Sequence, residues 1–244
     1  MGGGVAPVAT MVLVARRTLR KLTVTAVVAL LAGTGMAAWW WWHPQVDLEP
    51  WREGPLPPSW AAYSRQEEKW RQEGISRRPE HVFMPLERIS IELPLAVLVS
   101  EDASYFGHGA VDPRALREVF REWRQEGRLR GGSTIAQQLA KNLFLSAEKT
   151  LGRKLLEVRL AWWLERELGK RRVLELYVNV VEFGGGRLGA EAAARHYFGI
   201  SSAALDASQA ASLAAAIPSP GRDNPQTATR RWQVRRDLIL GRMG

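Results

Sequence analysis

The sequence predicts a mainly α-helical body behind a single N-terminal hydrophobic helix. Three observations carry this. From Leu116 onward the apolar period is helical, with Leu116, Val119, Phe120 and Trp123 at i, i+3, i+4 and i+7. Few stretches alternate with the period of two that a half-buried strand requires. Residues 22–42 run for 21 positions without a charge.

That uncharged run comes first. As a helix it would be about 31 Å long at ~1.5 Å per residue, enough to cross a hydrocarbon core of ~30 Å. Arg16, Arg17, Arg20 and Lys21 precede it, and four tryptophans, Trp39 to Trp42, close it. This polarity puts residues 1–21 in the cytoplasm and the body outside. The alternative is a cleaved signal peptide. The run is long for such a segment, and the bulky tryptophans after Ala37-Ala38 favour a retained anchor.

Residues 43–58 are rich in proline and read as a tether, residues 59–74 as a polar helix, and residues 79–90 as irregular or extended. The apolar run 95–100 leads directly into Glu101 and Asp102. In the helix that follows, Arg114, Arg117, Arg121, Arg124 and Arg128 lie along a second face. A basic amphipathic helix suits an anionic membrane, or equally a solvated surface. Further helices are predicted at 133–145, 151–168, 170–179, 188–198, 208–217 and 226–243. Asp206 or Ser208 would cap the fifth of these, and Pro218 would stop it.

Composition bounds the function. The 244 residues carry 34 basic and 25 acidic side chains, a net charge of +9, so an anionic partner is expected. Apolar content of 46% supports a packed core. Cysteine is absent, which excludes disulfides, thiol catalysis and cysteine-bound metals. Gly184, Gly186 and Gly189 have G-x-G-x-x-G spacing, but the alternating strands of a dinucleotide fold are missing, and a glycine turn between helices is simpler. Ser146 to Lys149 forms an S-x-x-K without the companion elements of a penicillin-binding transpeptidase. His43, His81, His108 and His196 do not cluster at metal-ligand spacing.

Three runs carry chemistry. Glu101 stands at the end of a core segment, where a half-buried carboxylate suits acid or base work near neutral pH. Residues 131–142, Gly-Gly-Ser-Thr-Ile-Ala-Gln-Gln-Leu-Ala-Lys-Asn, form a glycine turn entering a helix. Ser133 or Thr134 would cap that helix, whose free N–H groups suit an anion. Gln137, Gln138 and Asn142 are costly to bury without partners, and Lys141 adds a cation. Next, Arg153-Lys154-Leu155-Leu156-Glu157 offers either an i,i+4 salt bridge or a second carboxylate held among cations.

These runs resemble the peptidoglycan glycosyltransferases of glycosyltransferase family 51, and within it the monofunctional transglycosylases. The family's first signature, E-D-x-x-F-x-x-H-x-G, is met by Glu101, Asp102 and His108, with Tyr105 in place of Phe and Ala110 in place of Gly. The second, G-G-S-T-I-x-Q-Q-L-A-K-N, is met throughout 131–142, and the third, R-K-x-x-E, by Arg153 to Glu157. The fourth appears at 170–179 with valines for Ile and Leu, and the fifth at 189–198. Tyr105 adds a hydroxyl that needs a partner. Ala110 matters only if its backbone needs positive φ.

The resemblance implies a lysozyme-like helical glycosyltransferase domain over 83–244, with a membrane-contacting jaw at about 113–130 and a tether with an N-terminal helix at 43–82. It implies a single-pass protein of the plasma (inner) membrane whose catalytic domain is periplasmic, serving cell wall biogenesis and cell shape. The expected substrates are lipid II and the nascent glycan strand, joined by β-1,4 linkage with inversion. Glu101 would be the general base. Lys141, Lys149 and Arg153 would hold the leaving pyrophosphate, and Glu157 would support that group or a bound cation. Asp102, His108, Ser133, Thr134, Gln137, Gln138, Asn142 and Lys154 would bind substrate along the cleft. No cofactor is required, with a divalent cation, Mg or Mn, as an option. Transpeptidases and divisome or elongasome proteins are the candidate partners.

Three other functions compete for this sequence. A peptidoglycan-cleaving lysozyme-like enzyme would need neither the pyrophosphate cations nor an anchor. A non-catalytic membrane-tethered scaffold would not need Glu101 and Glu157. A nucleic-acid binder would need aromatic stacking platforms among its basic residues, and none is interleaved here.

Overall fold

The computed structural model describes residues 8–43, 46–126, 132–148 and 150–244. The chain divides into two compact units, Met1–Val46 and Asp47–Gly244. The first contains one long helix, α1 (Val8–Trp42), which includes the run expected to span a membrane. Its apolar Leu30, Leu31 and Met36 are exposed. Among the described residues, no helix is long and apolar enough to cross a membrane. The structure therefore supplies the helix at 22–42 but not the span.

The second unit is helical, as the periodicity predicts. Its helices are α2 (Ala61–Gln72), α3 (Glu92–Glu101), α4 (Pro113–Glu126), α5 (Ile135–Phe144), α6 (Leu151–Val180), α7 (Ala190–Phe198), α8 (Ala207–Ala216) and α9 (Arg230–Met243). Helix α5 lies along α6, α3 packs on α8 and α9, and α2 leans on α5. Leu93, Ile135, Leu139, Leu160, Leu164, Leu176 and Leu213 are fully buried between them. One small parallel pair joins β1 (Glu80–His81) to β2 (Arg187–Leu188), with Glu80 opposite Arg187.

Local chemistry explains the helix ends. The Thr134 hydroxyl accepts the Gln137 N–H at 3.3 Å and starts α5. Of the two candidate caps for α8, Asp206 serves: its carboxylate accepts the Gln209 N–H at 2.8 Å, and the Gln209 side chain accepts the Asp206 N–H at 3.0 Å. This reciprocal box leaves two fewer free donors. The helices predicted at 151–168 and 170–179 are the two parts of α6. They meet at Gly169, with φ 74° and ψ 159°, a conformation open essentially only to glycine. The turn at 184–186 is tight for another reason. A Cβ on Gly186, at φ +74°, would lie 2.2 Å from the Trp70 ring.

Residues 47–82, expected as a tether and an N-terminal helix, belong to the second unit. Trp51 is buried. Arg172 of α6 donates to the carbonyls of Trp51 at 2.9 Å and Gly54 at 2.8 Å. Buried Asn179 fastens the irregular segment that follows, donating to the Met84 carbonyl and accepting the Met84 N–H, both at 2.9 Å. Buried Glu191 ties α7 to the 202–204 turn, accepting Ser202 N–H at 2.8 Å and Ser202 Oγ at 2.6 Å.

Helix α4 matches the predicted amphipathic segment, and Arg114, Arg117, Arg121 and Arg124 on it are exposed. The side chains of Leu116, Val119, Phe120 and Trp123, like residues 127–131 with Arg128, lie outside the described part.

Candidate active site

The site is built where α3, α5, α6 and α9 converge. Packing of α3 on α8 and α9 fixes its last residue, Glu101, whose side chain is 10% exposed. Glu101 Oε1 accepts from Ser100 Oγ at 2.9 Å and from Arg235 Nη2 of α9 at 2.7 Å. Oε2 accepts from Gln138 Nε2 of α5 at 3.0 Å. Gln138 is itself oriented by the Tyr177 hydroxyl of α6, which donates to its Oε1 at 2.9 Å. Burial, and next the charge of Glu101, push the Tyr177 phenol well above its usual range, so it stays a donor.

Asp102 caps the end of α3, at φ −162° and ψ 68°, and its carboxylate takes partners other than those of Glu101. Its Oδ1 pairs with His108 Nε2 at 2.6 Å, and its Oδ2 accepts the Ile135 N–H at 3.1 Å. The start of α5, expected to receive a substrate anion, is thus partly occupied by the protein's own carboxylate. His108 also meets the Gly109 carbonyl at 2.5 Å. Burial opposes its charge. The bonds to Gly109 and Asp102, with the charges of Asp102 and Asp112, outweigh this and hold its pKa above the ordinary histidine value.

The second cluster lies along α5 and α6. Glu157 is buried and accepts from Arg153 Nη1 at 2.8 Å and from Lys154 Nζ. Lys154 also donates to Ser133 Oγ and Gln137 Oε1, both at 3.0 Å. Gln137 and Thr134 each donate to the Ala110 carbonyl, at 3.1 and 2.8 Å. Lys141 is half-buried beside them. Burial pushes its pKa down; Glu157 opposes that, while Arg65, Arg153 and Lys154 add to it.

Two hollows meet at Ser133. One, of about 430 Å³, is lined by Glu101, Asp102, Ser104, Asp112, Glu118, Ser133 and Thr134 among others, with Arg114 as its cation. The other, of about 450 Å³, is lined by Arg65, Lys141, Arg153 and Lys154 around Glu157, with Ser133 and Gln138. The cleft is therefore acidic on one side and basic on the other. This suits a reaction that takes up a proton at one end and stabilises a departing anion at the other.

Of the residues singled out in the sequence, Glu101, Asp102, Ser133 and Thr134 face the first hollow, and Ser133, Gln138, Lys141, Arg153, Lys154 and Glu157 the second. His108, Gln137 and Asn142 line neither; His108 and Gln137 hold their neighbours from behind. Lys149 lies outside the described residues. Among the described residues no group of three or more His, Asp or Glu could hold a metal ion. Glu157 is paired on both oxygens with the cations of Arg153 and Lys154, whose positive charge opposes a second cation, so the residues present do not fit a Mg or Mn site there. Sequence reasoning missed Arg235, Tyr177, Ser100 and Arg65. Arg65 lines the second hollow, Arg235 and Ser100 bond Glu101, and Tyr177 orients Gln138; Ser100, beside Glu101 in the chain, was the nearest to being seen.

The arrangement sets a held, half-buried carboxylate across one cleft from a cluster of cations. A sequence profile described as Transglycosylase matches residues 67–244, and the chain belongs to that family, enzymes of the glycosyltransferase class. It is 49% identical over 142 residues to a biosynthetic peptidoglycan transglycosylase of Methylobacillus flagellatus, covering 58% of this chain and 62% of that protein. Over 192 residues it is 42% identical to the protein so named in Bordetella avium, covering 76% and 80%. A third, from Nitrosospira multiformis, is 46% identical over 162 residues, covering 66% and 70%.

Proposed function

We propose that the protein is a peptidoglycan glycosyltransferase that polymerises lipid II into β-1,4 glycan strands and releases undecaprenyl pyrophosphate. The observation that carries this reading is the divided cleft: Glu101 on one side of Ser133, and Lys141, Arg153 and Lys154 on the other. The 4-hydroxyl of one saccharide attacks the anomeric carbon of the other. A new C–O bond forms, the bond to pyrophosphate breaks, and its electron pair leaves with the phosphate. The hydroxyl proton goes to Glu101. A placed base contributes roughly 10²–10⁴ in rate. The cations, with Lys149 and Arg65, neutralise the pyrophosphate as it departs. Glu157 keeps Arg153 and Lys154 aligned for that work. The reaction in this reading needs no cofactor.

In this reading residues 22–42 anchor the enzyme in the plasma membrane, with the N-terminus cytoplasmic and the domain outside. The uncharged run, its basic flank and its tryptophans support this. The exposed arginines of α4 face anionic headgroups as the jaw. Transpeptidases and divisome or elongasome proteins would be its partners. The test is to incubate detergent-solubilised protein with labelled lipid II and resolve glycan length on a gel, with Glu101→Gln beside it. A ladder that vanishes in the variant is expected. Shortening of preformed strands would favour a cleaving enzyme instead, and a fully active variant would remove Glu101 as the base.

A further inference from the structure

Resting on the reading of Glu101 as the base, we propose that Arg235 is a positioning residue that directs proton transfer to Oε2 of Glu101. A carboxylate offers about four lone-pair sites, two on each oxygen. Oε1 takes two donors, Ser100 Oγ at 2.9 Å and Arg235 Nη2 at 2.7 Å. Arg235 also donates to Ser100 Oγ at 2.8 Å, which turns the serine proton toward Glu101. Oε1 is therefore filled. Oε2 takes one donor among the described residues, Gln138 Nε2 at 3.0 Å. One site on Oε2 is left for an incoming hydroxyl.

The holder is stiff on both sides. Tyr177, fully buried, fixes the Gln138 amide so that its NH₂ faces Glu101. On α9, Trp232 donates from Nε1 to the Ser212 carbonyl at 2.9 Å, and Ile239 is buried. Arg235 sits between these two anchors and reaches α3 from 134 residues further along the chain. Without its guanidinium, Oε1 would have an unfilled site, the carboxylate could rotate about its last bond, and the hydroxyl would meet either oxygen at the wrong angle. Misplacement of about 1 Å at a reacting centre costs up to about 10²-fold.

The test measures glycan polymerisation by the full chain in detergent for wild type, Arg235→Met, Arg235→Lys and Glu101→Gln, with melting temperatures alongside. Arg235→Met is expected to lower kcat about tenfold or more while KM stays within about twofold. Arg235→Lys keeps a cation beside Oε1 and regains most of the loss, as does guanidinium ion added to Arg235→Met. The proposal is overturned if Arg235→Met keeps its kcat, if the loss sits in KM, or if activity follows the melting temperature and neither Lys nor guanidinium restores it. That last outcome would make Arg235 a clamp between α9 and α3 only. An active Glu101→Gln would instead remove the base, and this proposal with it. An inactive Glu101→Gln beside an unaffected Arg235→Met would remove this proposal alone.

Discussion

The Tyr105 hydroxyl donates to the Lys170 backbone carbonyl at 2.9 Å, and the Lys170 ammonium lies 4.1 Å from the centre of the Tyr105 ring. The residue that departs from the family pattern thus joins the turn after Glu101 to the part of α6 that begins past Gly169. Its ring is 1% exposed, so the hydroxyl could not have been left without a partner. Tyr105→Phe is expected to lower stability by about 0.5–1.5 kcal/mol in denaturant unfolding and to leave glycosyl transfer within about threefold of wild type. A much larger loss of activity at unchanged stability would mean that the hydroxyl acts in the cleft.

Lys141 shares its hollow with Arg65, Arg153 and Lys154, and burial and those charges push its pKa below the ordinary lysine value. An anionic ligand restores the balance, so inorganic pyrophosphate should bind here. Its affinity should fall as pH rises through that lowered pKa, because the neutral amine offers no charge. In Lys141→Arg the fall through that lowered value should be absent, since a guanidinium stays charged. Calorimetric titration of both proteins with pyrophosphate at several pH values decides it. Identical pH dependence in the two would assign the effect to another group.

His108 provides a stability signature. Its folded pKa is raised above the unfolded value of about 6.5. The stabilisation is therefore full below about pH 6.5 and is lost as pH rises through the folded value. Denaturation midpoints should decline over that window in wild type and run flat in His108→Gln. A midpoint that rises with pH in wild type alone would reverse the sign and show that the neutral ring is the favoured form.

Much of this was legible in the sequence because it is local. The helical period places α5, α7 and α8 to within about two residues, and Gly169 breaks α6 where the pattern divides it. The runs at 101–108, 131–142 and 153–157 bring their own neighbours with them, so the Arg153–Glu157 pair follows from its i,i+4 spacing, whereas the Asp102–His108 pair emerges only in the fold. What remained hidden is non-local. Nothing in Gln-Val-Arg-Arg says that Arg235 faces Glu101, because the answer depends on how α9 crosses α3. Proline-rich residues 47–58 look like a spacer until Arg172 is found holding their carbonyls. Ala110, where the family has glycine, needs no positive φ; of the described residues other than glycine, only Ala228 has one.

The break at Gly169 has a bearing on how this chain can change over time. The stretch before it carries Arg153, Lys154 and Glu157, and the stretch beyond it carries Arg172, Glu175 and Asn179, which fasten the preceding segments. A continuous helix would make both sets share one rotational phase, so any shift at one end would be felt at the other. The glycine joint frees each stretch to keep its own phase. Selection can then retune the charges that meet a ligand without loosening the framework that carries them, and the framework can drift without misaiming the charges.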